Sequence, residues 1–161
     1  MKIFNATLYF QRITEITIEA LKQNDIECLL LDVDNTLSTH HGTVLVDGLA
    51  EWLQNMRQNG IKLVVVSNSK FKRIKPFADK IGLDFVSLAL KPLPFGYKKG
   101  IKKLGCEKQN VAIVGDQLFT DIIGANALKI KSILVRPVKL ESGWSFKIRR
   151  YFEKKILKER F

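Results

Sequence analysis

Short runs of apolar, mostly β-branched residues, each followed by a stretch of helical period, constrain this chain more than any other feature. Residues 27–33 (ECLLLDV), 61–67 (IKLVVVS), 110–115 (NVAIVG) and 132–138 (SILVRPV) read as strands. The first three are apolar throughout rather than alternating, as strands covered on both faces of a parallel sheet are. A shorter stretch, 84–89, adds a candidate fifth. Between them, residues 48–59, 70–81, 94–104 and 119–129 carry helical spacing. Gly60, Gly82 and Gly105 stand just past three of these helices, where a left-handed cap favours glycine. The order βαβαβαβαβ predicts an α/β fold: a doubly wound, Rossmann-like parallel sheet with helices on both faces. Connections are short, and no linker or repeat interrupts them, so residues 1–161 are expected to form a single domain.

The two ends follow other patterns. Residues 7–24 are expected to form one helix, capped by Thr14 or Thr17, although its β-branched content weakens the helical pattern. Near the other end, Trp144, Ile148, Tyr151, Phe152 and Ile156 recur at spacings of three and four, with basic residues between them. That spacing predicts a basic amphipathic C-terminal helix within about residues 139–161.

With 161 residues, 46% of them hydrophobic, the chain can bury one sizeable core. No apolar run is long enough to cross a bilayer. Residues 1–10 carry one lysine and no apolar core before a small-residue cleavage site, so they do not read as a secretory signal. Cys28 and Cys106 lie far apart without CxxC spacing and are expected to be free thiols of a reducing compartment. The expected location is the cytoplasm. The formal net charge is +11, from 27 Lys and Arg against 16 Asp and Glu. Such an excess draws nucleic acid, anionic membranes and phosphorylated ligands alike. Its placement is more selective: residues 136–161 hold nine basic and three acidic side chains, a net +6.

In a doubly wound sheet ligands bind at the carboxyl ends of the strands, so polar residues ending apolar strands are the ones to inspect. Four clusters qualify. In Asp32-Val33-Asp34-Asn35-Thr36, alternate residues place two carboxylates together, one able to attack and one able to move protons. Ser67-Asn68-Ser69 offers a hydroxyl and backbone N–H groups to an anion at a strand-to-helix turn. Lys91, before Pro92, offers a fixed ammonium. Gly115-Asp116-Gln117-Leu118-Phe119-Thr120-Asp121 adds carboxylates for a hard cation such as Mg²⁺. Taken singly, each cluster also fits helix capping or, for Lys91, an ordinary surface lysine. Together, in this order and each after a strand, they are specific.

DVDNT, the SNS turn, the LKP lysine and GDQLFTD match, in order, the four motifs of the haloacid dehalogenase (HAD) superfamily, which this chain resembles over roughly residues 27–136. The resemblance implies a HAD-like phosphatase with Asp32 as nucleophile, forming an aspartyl-phosphate, and Asp34 as acid and base. It implies that Ser67 and Lys91, with Thr36 and Asn68 beside them, bind the phosphoryl group. It also implies Mg²⁺ held by Asp32, the main-chain carbonyl of Asp34 and Asp116, with Asp121 in support. A divalent cation and a lysine would screen the repulsion between an anionic nucleophile and an anionic phosphate.

Superfamily members often carry a cap domain between the first and second or the second and third motifs. Here Asp34 and Ser67 are 33 residues apart and Ser67 and Lys91 are 24 apart, which leaves no room for one. An open site suits a large substrate, such as a lipid still in its bilayer. Small size, the missing cap, LDVDNTL, GDQLFTDI and VRPV before a basic tail resemble the phosphatidylglycerophosphate phosphatases of subclass IIIA. That branch implies an anionic phospholipid substrate and peripheral attachment to the inner face of a membrane. Two other readings stay open: a soluble phosphatase of sugar or nucleotide phosphates, and an RNA-associated binding module. No aromatic RNA-binding signature accompanies the charge, which argues against nucleic acid. Oligomeric state is left open. His40 and His41 read as a solvated loop, Trp52 and Met56 as packing residues, and Pro76 as a helix boundary.

Overall fold

The computed structural model describes residues 2–39 and 44–138. Six strands form one parallel sheet: Leu8–Phe10 (β1), Cys28–Leu31 (β2), Lys62–Val66 (β3), Phe85–Val86 (β4), Val111–Gly115 (β5) and Lys131–Val135 (β6). Their order is β1-β6-β5-β2-β3-β4. The helices are Ile18–Gln23 (α1), Leu49–Gln58 (α2), Phe71–Ile81 (α3), Pro94–Leu104 (α4) and Ile123–Leu128 (α5). The predicted α/β parallel sheet is therefore present, with a sixth strand added at its edge.

Period-two alternation divides the core. Leu29, Leu31, Val65 and Val114 face one side, where they pack with Leu21 of α1, Trp52 and Met56 of α2 and Phe77 of α3. Cys28, Leu30, Val64 and Ile113 face the other, against Tyr97 of α4 and Ala125 of α5. Both faces are covered, which is why every buried position of these strands is apolar; Lys62, which opens β3, is exposed. Trp52 and Met56 are the packing residues expected, at 5% and 0% exposure, and the Trp52 indole N–H donates to the Ile16 carbonyl at 2.9 Å.

From β2 the chain builds outward through β3 to β4, then crosses back to place β5 on the other side of β2. The β2/β5 boundary is thus the topological switch point, where a crevice opens at the carboxyl ends of the strands. Register aligns Leu31 with Val65 on one side and Val114 on the other. Asp32 follows Leu31 directly, and Ser67 and Asp116 lie one residue further along β3 and β5, so all three emerge at the same edge of the sheet.

Several expectations need correction. Residues 7–24 are not one helix: they hold β1, a 3₁₀ turn at Ile13–Glu15, and α1. The sheet edge offered by β6 decides this, because Thr7 N–H donates to Ser132 O at 2.8 Å and Ser132 N–H to Thr7 Oγ1 at 3.1 Å. Only the last part of the segment stays helical, and Thr17 does cap it, accepting from Ala20 N–H at 3.1 Å. Pro76 lies inside α3 rather than at its boundary; the buried stripe Ile74, Phe77, Ala78 and Ile81 carries the helix past it. Cys28 and Cys106 are disulfide-bonded, not free, with Cα atoms 6.7 Å apart. The end of α4 returns over the start of β2, a proximity that sequence separation hides, and the premise for a reducing compartment falls with it. The predicted C-terminal helix, and His40 and His41, lie outside the described residues.

Candidate active site

The site begins where β2 stops. Asp32 N–H still bonds to Val114 O at 2.9 Å, so its backbone is held in the sheet. The chain then turns sharply: the Val33 carbonyl accepts from Thr36, Leu37 and Ser38 N–H at 3.3, 3.0 and 3.1 Å. Asn35 makes the turn with φ of 59°, a left-handed conformation that asparagine tolerates better than most residues. Asp32 is left 6% exposed at the base of the crevice, while Asp34 sits higher, its side chain 14% exposed.

Lys91 arrives from the segment between β4 and α4. Its ammonium donates to Asp32 Oδ1 at 2.6 Å and to Asp121 Oδ1 at 2.7 Å, and its side chain is 2% exposed. Asn68 fixes the Lys91 backbone from both sides, accepting from Lys91 N–H at 2.7 Å and donating to Lys91 O at 3.1 Å. The second and third sequence clusters are thereby joined: the turn after β3 positions the lysine. Ser67 is buried, and its hydroxyl accepts from Ser69 N–H at 3.1 Å. Thr36 is buried with its hydroxyl lacking any hydrogen-bond partner.

At the end of β5, Asp116 and Asp121 complete the cluster. Asp121 is carried by a π-helical turn, Leu118–Ile122, and its Oδ2 accepts from Gln117 N–H at 3.2 Å. Gly115 permits this closeness, since a Cβ there would fall on the Asp121 carboxylate. One oxygen from each of Asp32, Asp116 and Asp121 lies within 4.8 Å of the others, and all three residues are buried. Three carboxylates face one ammonium, so the formal charge is negative and the donors are all hard oxygens. That set fits a divalent cation.

Electrostatics express the same imbalance. Burial, with Asp121 and Asp34 nearby, outweighs the Lys91 ammonium and pushes Asp32 up to about 7. Lys91 is raised above the ordinary lysine range: the attraction of Asp121 and Asp32 overcomes the burial penalty. Tyr97, whose hydroxyl donates to Thr120 O beneath the site, is raised chiefly by burial.

Arg73 was not among the residues singled out from the sequence. It lies in the first turn of α3, and its two terminal nitrogens engage both oxygens of Asp34, Nη1 at 2.9 Å from Oδ2 and Nη2 on Oδ1. Ser69, four residues earlier, also accepts from it. The bond to Asp34 raises the guanidinium's affinity for its proton. One legible signal pointed to it, an arginine four residues after Ser69 in the Ser67-Asn68-Ser69 turn. Asp34 thus stands apart from the three-carboxylate cluster by its side chain, which Arg73 holds.

A family model described as haloacid dehalogenase-like hydrolase matches residues 3–129. The "Probable phosphatase YqeG" of Bacillus subtilis (strain 168) is 32% identical over 156 residues, 97% of this chain and 91% of that protein. An uncharacterized protein from Listeria monocytogenes serotype 4b superposes with a TM-score of 0.59 at 24% identity, covering 68% of this chain and 78% of its own. The cobalt-bound deoxy-D-mannose-octulosonate 8-phosphate phosphatase of Haemophilus influenzae has a TM-score of 0.51 at 18% identity, covering 85% of this chain and 90% of its own. These two structures share the fold. The family match and the bacterial relative go further, and with the strand-end cluster they show that the chain belongs to the haloacid dehalogenase-like hydrolases.

Proposed function

We propose that this protein is a Mg²⁺-dependent phosphomonoester hydrolase working through an aspartyl-phosphate on Asp32, and that its substrate is phosphatidylglycerophosphate, which it converts to phosphatidylglycerol at a membrane surface. The observation that carries the chemistry is the buried Asp32–Lys91 pair among further carboxylates at the switch point. Asp32 attacks phosphorus and the ester P–O bond breaks, with Asp34 giving its proton to the leaving alkoxide. Asp34 then takes a proton from water; that oxygen attacks phosphorus, the bond to Asp32 breaks, and inorganic phosphate leaves. Lys91, Ser67 and Thr36 would hold the phosphoryl oxygens, and the Asn68 side chain would serve by fixing Lys91. Asp32, Asp116 and Asp121 would hold Mg²⁺, which supplies charge neutralisation for the approach of two anions.

The lipid substrate is supported by the open site and the basic tail. Among the described residues, only α2 and β3 lie between Asp34 and Ser67, and only α3 and β4 between Ser67 and Lys91. No helix of the described residues is long and apolar enough to cross a membrane. The test is Mg²⁺-dependent phosphate release from a panel holding the lipid phosphate, sugar phosphates and nucleotides. Preference for the lipid supports the reading; equal or better turnover of a soluble ester overturns the lipid assignment and leaves the phosphatase.

Arg73 must release one Asp34 oxygen before that carboxyl can hand a proton to the leaving group, so it orients Asp34 rather than touching the reaction. Arg73→Ala is expected to lower kcat roughly tenfold with little change in KM, and Arg73→Lys to recover only part, because an ammonium cannot engage both oxygens. Steady-state kinetics on the three proteins check this.

A raised Asp32 also sets a pH dependence. The metal-free folded state holds a proton on Asp32 up to about pH 7, which the unfolded chain loses near 4. Metal-free stability should therefore fall as pH rises between those values. Mg²⁺ must displace that proton below 7, so its affinity should weaken on acidification and level off above 7. Calorimetric titration at pH 6 and pH 8 reads the difference; equal affinities would sink the prediction.

A further inference from the structure

We propose that the carboxyl-terminal face of the sheet is a docking surface for an anionic lipid bilayer, seated through an apolar rim of Phe71, Leu88, Leu90, Leu93 and Phe95. This deepens the lipid reading of the site and rests on it. Among the described residues eight large apolar side chains are exposed, and these five make up most of them, each between 51% and 59% exposed. Val44, in the loop after the Asp32–Thr36 turn, and Val138, whose N–H donates to Asn35 O at 3.0 Å, belong to the same end of the molecule. Only Ile3 does not. Exposed apolar groups scattered at random would carry no message, but a cluster around one mouth does.

The rim is tied to the catalytic loops by backbone bonds. Leu88 N–H donates to Ser69 O at 2.9 Å and Leu93 N–H to Leu90 O at 2.8 Å, while Phe71 opens α3 directly after the Ser67–Lys70 turn. Leu88 and Leu90 have φ of 47° and 55°, a left-handed backbone disfavoured for leucine. Between and after them, Ala89 and Lys91 are buried. The segment that points Lys91 inward therefore turns two leucines outward, in a conformation and an exposure that asparagine or glycine would suit better. Folding alone does not account for that choice.

Charge chooses the partner. Residues 67–78 and 85–106, which present the rim, contain no Asp or Glu. They do contain Lys70, Lys72, Lys98 and Lys99, all exposed beside the apolar side chains. Val138 belongs to this same end, and the sequence after it, residues 139–161, carries eight basic against three acidic side chains. Apolar groups ringed by lysines match the interface of an anionic bilayer, with acyl chains below and phosphates above. A second copy of the chain would instead oppose like charges across the contact.

The test uses the full chain with vesicles of mixed phosphatidylglycerol and phosphatidylcholine, and with phosphatidylcholine alone. The variant carries Leu88→Asn, Leu93→Gln and Phe95→Gln, and its hydrolysis of a soluble aryl phosphate reports that the site is intact. The expected result is sedimentation of the wild type with anionic vesicles, at least tenfold weaker binding by the variant at equal salt, and unchanged aryl phosphate turnover. Variant binding equal to wild type overturns the proposal, as does a wild-type dimer that the substitutions dissociate. Failure of the substrate reading looks different. Rim-dependent vesicle binding without lipid dephosphorylation sinks the lipid substrate and supports the docking surface. Lipid dephosphorylation with rim-independent binding does the reverse.

Discussion

Asp32→Asn is expected to lower phosphate release by roughly 10⁴-fold or more, because the amide cannot displace an alkoxide from phosphorus. The substitution keeps the size of the side chain and an oxygen that can accept from Lys91, so a collapse of the site is not the cause. Stability should move the other way. A carboxylate whose folded value is pushed up to about 7 from 3.8 opposes folding once pH exceeds the lower figure. Removing it relieves the crowding with Asp121 and Asp34, so metal-free Asp32→Asn should be at least as stable as wild type at pH 8, by about 1–2 kcal/mol at most. Phosphate release and thermal unfolding in chelator read the two effects. Retention of more than a few per cent of activity would remove Asp32 from the role of nucleophile.

Lys91→Met should be damaging on both counts. The ammonium is the cation found on Asp32 and Asp121, and it is buried with them. Its folded value is raised, so its contribution is fully present below the ordinary lysine range and is lost only above it. Across neutral pH the substitution therefore takes away the whole contribution. Removing one partner of a buried ion pair costs about 3–5 kcal/mol, since the other charge is left without compensation. Protons can stand in for part of that charge, so the loss should be larger at pH 8 than at pH 6. Added Mg²⁺ should restore some of the stability, because its charge replaces the ammonium among the carboxylates. Turnover should not return with it: losing a fixed donor to the developing phosphoryl charge lowers kcat by roughly 10²–10³. Denaturant melts at the two pH values, with and without Mg²⁺, separate these effects. A metal-free variant as stable as wild type at pH 8 would contradict this account of the site.

Much of this protein was written in one dimension. The strands β2, β3 and β5 are apolar at every residue except Lys62, which opens β3 exposed, because both faces are covered; that pattern, with helical stretches between the strands, pointed to a parallel sheet. Strand-end placement then marked Asp32, Ser67 and Asp116 for inspection, since parallel strands deliver their last residues to one edge. Gly82 and Gly105 marked helix ends through their left-handed caps.

What sequence could not decide depended on partners distant along the chain. Residues 8–10 become a strand because β6, more than a hundred residues later, offers an edge; by themselves they belong to an ambiguous helical pattern. Cys28 and Cys106 meet because α4 ends over the start of β2. Arg73 reads as one basic residue among 27 until the fold sets its guanidinium on Asp34. The outward leucines beside Lys91 follow from two backbone angles that no periodicity encodes. Local pattern determines which segments are strands and helices, because side-chain period is a local property. Which charges neutralise one another, and which apolar side chains stay without cover, is fixed only when the packed sheet brings separate segments within a few ångströms.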